Sequence, residues 1–461
     1  MTRTAKSLVL SFFAIVALYA QQSGSSEPPL TERERMLLNR IDQLEQRVAA
    51  LESKQPGTNT PAAPAQIVAP QPEVAQEKPA PKSNPSGPTF ADGTTLNFYF
   101  DGYYGFNFNN PIGRVNLLRA YDVSSNAFSL SQTDLILENA PDPDNGKRFG
   151  LRLDLQYGQA TESLQGNPAN EPRPEIYRNI FQAYGTYVFP VGKGLTVDFG
   201  KFASSLGLEG NYTKDQMNYS RSYWFNFLPF YHMGVRVNYK FSDAFALNYW
   251  IVNGTQQTEP FKDFKDQFFG LAIQPTKQTS WNVNYYVGEE HPDVIYFPNG
   301  AAPPGLPTQQ GVPFQPLTAP PAGKLHIFDT YATWQATSKL KLAAEIDDEI
   351  QRLYSFSAPM HTAGGAAYLQ YQLTSKWSLA GRAEYLSDRG GLFTGTTQAL
   401  KENTVTAAYQ LSPGFLMMGE WRRDFSNGPY FYTNLLGLLK KEQNTATLGL
   451  IWWFGGKQGS W

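Results

Sequence analysis

Charged side chains recur at every second residue in segments whose remaining residues are apolar. Arg152 and Asp154 interleave with Leu151, Leu153 and Leu155, and Arg236 and Lys240 with Val235, Val237, Tyr239 and Phe241. Asp101, Asp134, Glu345, Asp347, Glu349, Arg382, Glu384, Glu420 and Arg422 keep the same parity in their own segments. Taken singly, each is read as half of a solvated ion pair, which contributes little to stability. Taken together, they describe a face in contact with water. Asp101, Arg152, Asp154, Arg236, Lys240, Glu345, Arg382, Glu384, Glu420 and Arg422 are the candidate wall residues. A second group, Glu209, Lys214, Asp215 and Arg221, shares the segment from Ala203 to Tyr231 with Tyr212, Tyr219, Tyr223, Trp224 and Phe225.

Covalent chemistry finds little support. His232, His291, His326 and His361 sit near segment ends, with no serine or carboxylate spaced to orient them as a base. The chain has no cysteine, which removes disulfides and thiolate metal sites. Asp347, Asp348 and Glu349 are adjacent, but alternation sends Asp348 to the opposite face, so no metal site and no cofactor is expected. Lys+Arg (38) nearly balances Asp+Glu (40), which gives no reason to expect a nucleic-acid partner.

The elements that hold these charges are β-strands, because a strand turns successive side chains to opposite faces. About sixteen segments qualify, centred near Phe100, Leu130, Leu153, Tyr184, Val197, Val237, Tyr249, Leu271, Val283, Tyr331, Ala344, Leu369, Ala383, Ala407, Gly419 and Leu450. Their spacers run long, short, long. The short ones are Asn139 to Lys147, Pro190 to Gly194, Ser242-Asp243, Pro275 to Lys277, Thr337-Ser338, Thr374-Ser375 and Ser412 to Gly414. The longest are Ala203 to Tyr231 and Glu289 to Gly323. A closed transmembrane antiparallel barrel with turns at one rim and loops at the other accounts for that rhythm. The mean hydropathy of −0.40 does not oppose it, since only alternate residues meet lipid. A basic residue facing lipid at mid-membrane costs about 2–4 kcal/mol, so the charged parity belongs inside, around an aqueous lumen.

The N-terminal part is organised differently. Arg3 and Lys6 precede the apolar run Leu8 to Leu18, and residues 1–20 read as a signal peptide, with cleavage after Ala20. Residues 21–54 read as a periplasmic coiled-coil helix, with Leu37, Leu44 and Leu51 at one seam position and Ile41 and Val48 at the other. Arg40 with Glu45, and Arg47 with Glu52, are spaced to pair across a parallel interface. Residues 55–89, rich in proline and alanine, read as a disordered linker, and residues 90–461 as the barrel.

The barrel segment resembles the β-barrel porins of the OmpL-like family. The resemblance rests on Asp101-Gly102-Tyr103-Tyr104, Gly200-Lys201-Phe202 with Gly207 to Gly210, Asn218-Tyr219-Ser220-Arg221-Ser222, Pro229-Phe230, and His232-Met233-Gly234-Val235-Arg236. Leu448, Leu450, Trp452 and Phe454 further resemble the C-terminal insertion signal of outer-membrane barrels, with Gly455 to Trp461 left as an overhang. The resemblance implies a bacterial outer-membrane channel, with both barrel ends periplasmic, lipid around it and small hydrophilic solutes passing through. In porins of this size the third external loop commonly folds inward. Ala203 to Tyr231 holds that place, so Glu209 and Asp215 are expected to face wall cations such as Arg152 and Arg236 across a constriction. Little ion selectivity is expected, because acids and bases interleave. A trimer is expected, joined in part by the heptads. Two rival readings are an envelope tether contacting the cell wall through the helix and, third, an outer-membrane hydrolase.

Overall fold

The computed structural model describes residues 93–165, 171, 174–260, 262–291, 294–296, 314–316 and 322–457. The signal-peptide, coiled-coil and linker readings, and Trp461, lie outside the described residues.

Sixteen strands close into one antiparallel barrel, each paired with its neighbours in the chain. They are β1 (Thr94–Asn107), β2 (Ala127–Asn139), β3 (Phe149–Tyr157), β4 (Ile180–Phe189), β5 (Leu195–Ala203), β6 (Tyr231–Ser242), β7 (Phe245–Val252) and β8 (Asp266–Thr276). The second half comprises β9 (Thr279–Gly288), β10 (Leu325–Gln335), β11 (Leu340–Gln351), β12 (Met360–Gln372), β13 (Trp377–Arg389), β14 (Gln398–Ser412), β15 (Phe415–Ser426) and β16 (Glu442–Gly455). Every strand centre expected from the sequence falls inside one of them. β16 returns to β1, with Phe98 opposite Phe454 and Asp101 opposite Ile451, so the barrel sheet has no open edge.

The turn rim is built from local hydrogen bonds. Thr374 Oγ1 accepts the backbone N–H groups of Lys376 and Trp377 at 3.2 and 3.1 Å. Thr337 does the same for Lys339 and Leu340. A threonine hydroxyl that satisfies two turn amides makes so short a connection self-sufficient. At the β14–β15 turn, Gly414 holds φ +79°, a conformation glycine adopts without steric cost.

Alternation sorts the two faces as expected. On β3, Arg152, Asp154 and Gln156 point inward and are buried, while Leu151, Leu153 and Leu155 line the outside. Outward rings gather at both ends. Phe98 with Phe454 (5.1 Å), Trp377 with Tyr409 (4.6 Å) and Phe415 with Trp452 (4.4 Å) sit near the turn rim. Tyr104 with Phe128 (4.8 Å) and Tyr249 with Phe269 (5.0 Å) sit near the loop rim. Between them Leu369, Val405 and Ile346 are exposed and apolar. Aromatic girdles bracketing an apolar band suit a barrel that stands in a bilayer.

The C-terminal strand ends at Gly455, with φ +148°. Lys457 is not left hanging: its N–H donates to Asn97 Oδ1 at 2.8 Å and its ammonium pairs with Glu138 at 2.7 Å.

Candidate functional site

The segment between β5 and β6 enters the barrel and is fastened to the inner wall. Carboxylates do much of the fastening. Glu384 on β13 accepts the backbone N–H groups of Tyr223 (2.8 Å) and Trp224 (3.1 Å), at the start of the short helix Tyr223–Phe227. Ser222 caps the same helix by accepting from Phe225 N at 3.0 Å. Glu420 on β15 accepts from Tyr219 N (2.7 Å) and Ser220 N (3.1 Å). Glu345 on β11 accepts from Leu208 N at 2.8 Å. Charge-assisted bonds to consecutive amides satisfy backbone groups that the loop would otherwise bury unpaired.

Further round the wall, on β1 and β3, hydroxyls of the segment reach the acids. Tyr219 donates to Asp101 Oδ1 at 2.8 Å and Thr213 to Asp101 Oδ2 at 2.5 Å. Tyr212 donates to Asp154 at 2.9 Å. Burial raises the pKa of the Tyr212, Tyr219 and Tyr223 phenols well above the usual tyrosine value, so all three remain donors.

The expected constriction residues therefore have assigned places. Glu209 pairs with Arg382 at 2.8 Å rather than with Arg152 or Arg236. Those two arginines are engaged on the wall itself, Arg152 with Asp154 (2.9 Å) and Arg236 with Asp198 (2.7 Å). The physical reason is reach: Asp154 lies two residues along the same strand as Arg152, and Asp198 on the strand next to Arg236, so each arginine meets a wall carboxylate before one carried on the loop. Lys214 bonds its chain neighbour Asp215 at 2.9 Å, and burial lowers the lysine's pKa while Asp215 raises it again. Arg221 is fully buried and ties the segment to itself, donating to the carbonyls of Gly210 (2.9 Å), Tyr219 (2.8 Å) and Asn211 (2.9 Å).

Arg382 is the densest junction, reaching Glu209, Glu402 (2.9 Å) and the carbonyl of Ser220 (2.8 Å). Arg422 joins Asp424 at 2.8 Å and the carbonyl of Arg221 at 2.5 Å. Lys240 pairs with Asp243 at 3.0 Å near the turn rim and is exposed.

Two features were not anticipated from the sequence. Toward the loop rim the inward parity turns from charged to apolar: Phe202, Trp250, Phe268, Tyr286, Ile327, Leu386 and Leu400 point inward and pack on Trp224, Leu206 and Leu228. The inner face is therefore not uniformly polar, and that half of the barrel has a core. The connection between β1 and β2 also turns inward, where Arg119 pairs with Asp424 at 2.9 Å and with Asp122 at 3.0 Å. The switch to inward-facing rings could have been read from the strands, whereas the partner of Arg119 could not.

Coverage of the wall is uneven. On β15, β16, β1 and β2, inward side chains such as Met418, Ile451, Tyr99 and Ile136 are buried almost to the turn rim. On β6 to β11, Arg236, Asn238, Asn248, Asn282, Thr333 and Lys341 keep partial exposure. The uncovered strip is thus polar, its exposed charges are basic (Arg236 and Lys341), and it lies to one side at the turn-rim end of these strands.

The histidines are differently engaged. His232 bonds the Gly254 carbonyl (3.0 Å) and Ser204 Oγ (3.2 Å), His291 the Gly323 carbonyl (3.0 Å), His326 the Tyr285 hydroxyl (2.7 Å), and His361 Asp348 (2.8 Å). Among the described residues, none is held between a serine and a carboxylate as a nucleophile-activating base would be.

Residues 93–454 match the family described as "Putative beta-barrel porin-2, OmpL-like". Among solved structures, the anion-selective porin from Comamonas acidovorans is similar at 10% identity and TM-score 0.50, covering 78% of this chain and 99% of its own. The outer membrane channel DcaP of Acinetobacter baumannii is similar at 9% identity and TM-score 0.50, covering 80% and 100%. No curated protein sequence matches the chain. At such identities the structures speak for the barrel fold, and the family match covers nearly all of that barrel; the chain belongs to the OmpL-like β-barrel porins of the bacterial outer membrane.

Proposed function

We propose that this porin is a passive channel for small hydrophilic solutes and ions, with its bore narrowed by the segment between β5 and β6. The observation that carries the reading is the fastening of that segment at points spread round the wall, through Glu345 on β11, Glu384 on β13, Glu420 on β15, Asp101 on β1 and Asp154 on β3. A loop held at so many points reduces the cross-section while leaving the polar, turn-rim ends of β6 to β11 uncovered. Arg236 is compensated by Asp198 on β5 and Lys240 by Asp243 in the next turn, which favours weak ion selectivity. Short turns at one rim and long loops at the other support a periplasmic turn rim, with both barrel ends there. The wall residues Asp101, Arg152, Asp154, Glu345, Arg382, Glu384, Glu420 and Arg422 act in this reading as loop anchors, and Arg236 and Lys240 face the solute path.

Planar-bilayer recording of purified protein tests the reading. Wild-type protein should give discrete steps with a small reversal potential in a salt gradient, and deletion of 209–221 should raise unitary conductance. Absence of steps would end the channel reading, and equal conductance in the deletion would end the constriction. A trimer is the assembly proposed, with Leu37, Ile41, Leu44, Val48 and Leu51 contributing. Crosslinking of full-length and 23–88-deleted protein checks both parts.

A further inference from the structure

We propose that Asp329, Glu345 and Asp347 form a calcium site on the inner wall of the barrel. Asp329 on β10 stands directly opposite Asp347 on β11 in the strand register, and Glu345 is the next inward residue along β11. One carboxylate oxygen from each lies within 4.8 Å of the others, and all three side chains are buried.

Their hydrogen bonds are incomplete in a way that points at the space between them. Glu345 is satisfied, accepting from Leu208 N at 2.8 Å and from the Tyr368 hydroxyl at 3.0 Å. Asp329 Oδ2 accepts from Asn284 at 2.6 Å and the Gly207 backbone N–H is also turned toward this carboxylate, but Oδ1 has no donor in hydrogen-bond geometry. Neither oxygen of Asp347 meets a donor from outside the cluster, and its carboxyl faces that of Asp329 within hydrogen-bonding reach. Arg382, inward on β13, is occupied by Glu209 and Glu402. Among the described residues, no lysine or arginine forms an ion pair with any of the three.

Three buried acids without a cation strongly oppose one another, and that conflict is relieved by shared protons or by a bound metal. The donor set favours the metal. It is all oxygen and carries three formal negative charges, which suits a hard divalent cation and not a soft one. The positions derive from two strands and tolerate an irregular shell. Calcium accepts six to eight oxygens in flexible geometry, whereas magnesium demands a near-ideal octahedron. A further oxygen is close at hand: Asn284, which donates to Asp329, also donates to the Ser205 carbonyl at 3.2 Å.

The site would bear on the inward segment as well. Leu208 and Ser205 belong to it and are bonded to Glu345 and Asn284, so a cation here stiffens the ends of those bonds. Calcium binding is read directly and does not depend on pore activity, so the site and the channel reading fail independently.

The test uses full-length protein, refolded in detergent and stripped with EGTA before dialysis. Calcium is titrated by calorimetry, and terbium(III) by luminescence excited through tyrosine, with Tyr368 in place as the sensitiser. Wild-type protein should show one saturable site per chain, with calcium displacing terbium. Asp347→Asn should weaken calcium binding at least roughly tenfold, since even outer-shell changes cost about that much. Glu345→Gln keeps an acceptor for Leu208 N, should stay folded by heat-dependent gel mobility, and should weaken binding similarly. Asp243→Asn, at an exposed turn, should bind as wild type. No saturable calcium binding by the wild type overturns the proposal, as does equal affinity in Asp347→Asn or Glu345→Gln; either outcome assigns the cluster to shared protons.

Discussion

Tyr219 lies in a notch that Gly449 leaves in the barrel wall: a Cβ built on this glycine would stand 2.2 Å from Tyr219 Cε2. The ring comes from the inward segment and the notch from β16, so one missing methyl group sets how closely loop and wall approach. In Gly449→Leu, Tyr219 is expelled and its hydrogen bond to Asp101 is lost. Unitary conductance should rise and proteases should cut near residue 219, with the barrel's circular dichroism unchanged. Wild-type conductance in this variant would remove the notch from the account.

Arg382 compensates Glu209 and Glu402 in a buried setting. Arg382→Ala leaves both acids without that cation and should cost about 3–5 kcal/mol, the usual penalty for breaking a buried pair from one side. Arg382→Lys should recover part of it, because an ammonium lacks the planar fork that reaches two carboxylates and a carbonyl. Urea unfolding in detergent, followed by tryptophan fluorescence, measures both.

Trp224 is wholly buried among Leu206, Leu228 and inward rings of the wall. Trp224→Ala should cost about 3–5 kcal/mol of docking energy. The loss should appear as local opening, since the strand ladder does not include this residue. Hydrogen exchange should therefore speed up within 203–231 and remain slow in the strands.

Ile346 is the outward counterpart, exposed on β11. Ile346→Arg should destabilise the barrel in lipid by about 2–4 kcal/mol if the residue sits near the bilayer midplane. The same change should be nearly neutral in a soluble protein. Refolding equilibria in vesicles check the direction.

How far the molecule was legible in its sequence follows from which forces are local. Strand positions and faces were readable, because alternation such as Arg152-Leu153-Asp154 is a local record of which side is apolar. The tight turns were readable for the same reason, through residues such as Thr374 and Gly414. The place of the inward segment was readable from its order and length. Its partners were not: Glu209 finds Arg382 across 173 residues, and nothing in either neighbourhood encodes that match. The charges on the wall were legible as a set, but their work was mistaken in part. Glu384 and Glu420 face backbone amides, because a folded loop occupies the water they would otherwise have met. The carboxylates Asp329 and Asp347 come together only through the β10–β11 register, which single-strand alternation does not specify.

The one-sided covering of the wall has a geometric consequence. At the turn-rim end, whatever moves along the uncovered strip lies off-axis, against β6 to β11 and away from β16 and β1. A molecule held against that side would meet the same few side chains, Arg236 and Asn248 among them, with one flank at a time. Discrimination between solutes would then depend on the shape of a single flank rather than on overall diameter.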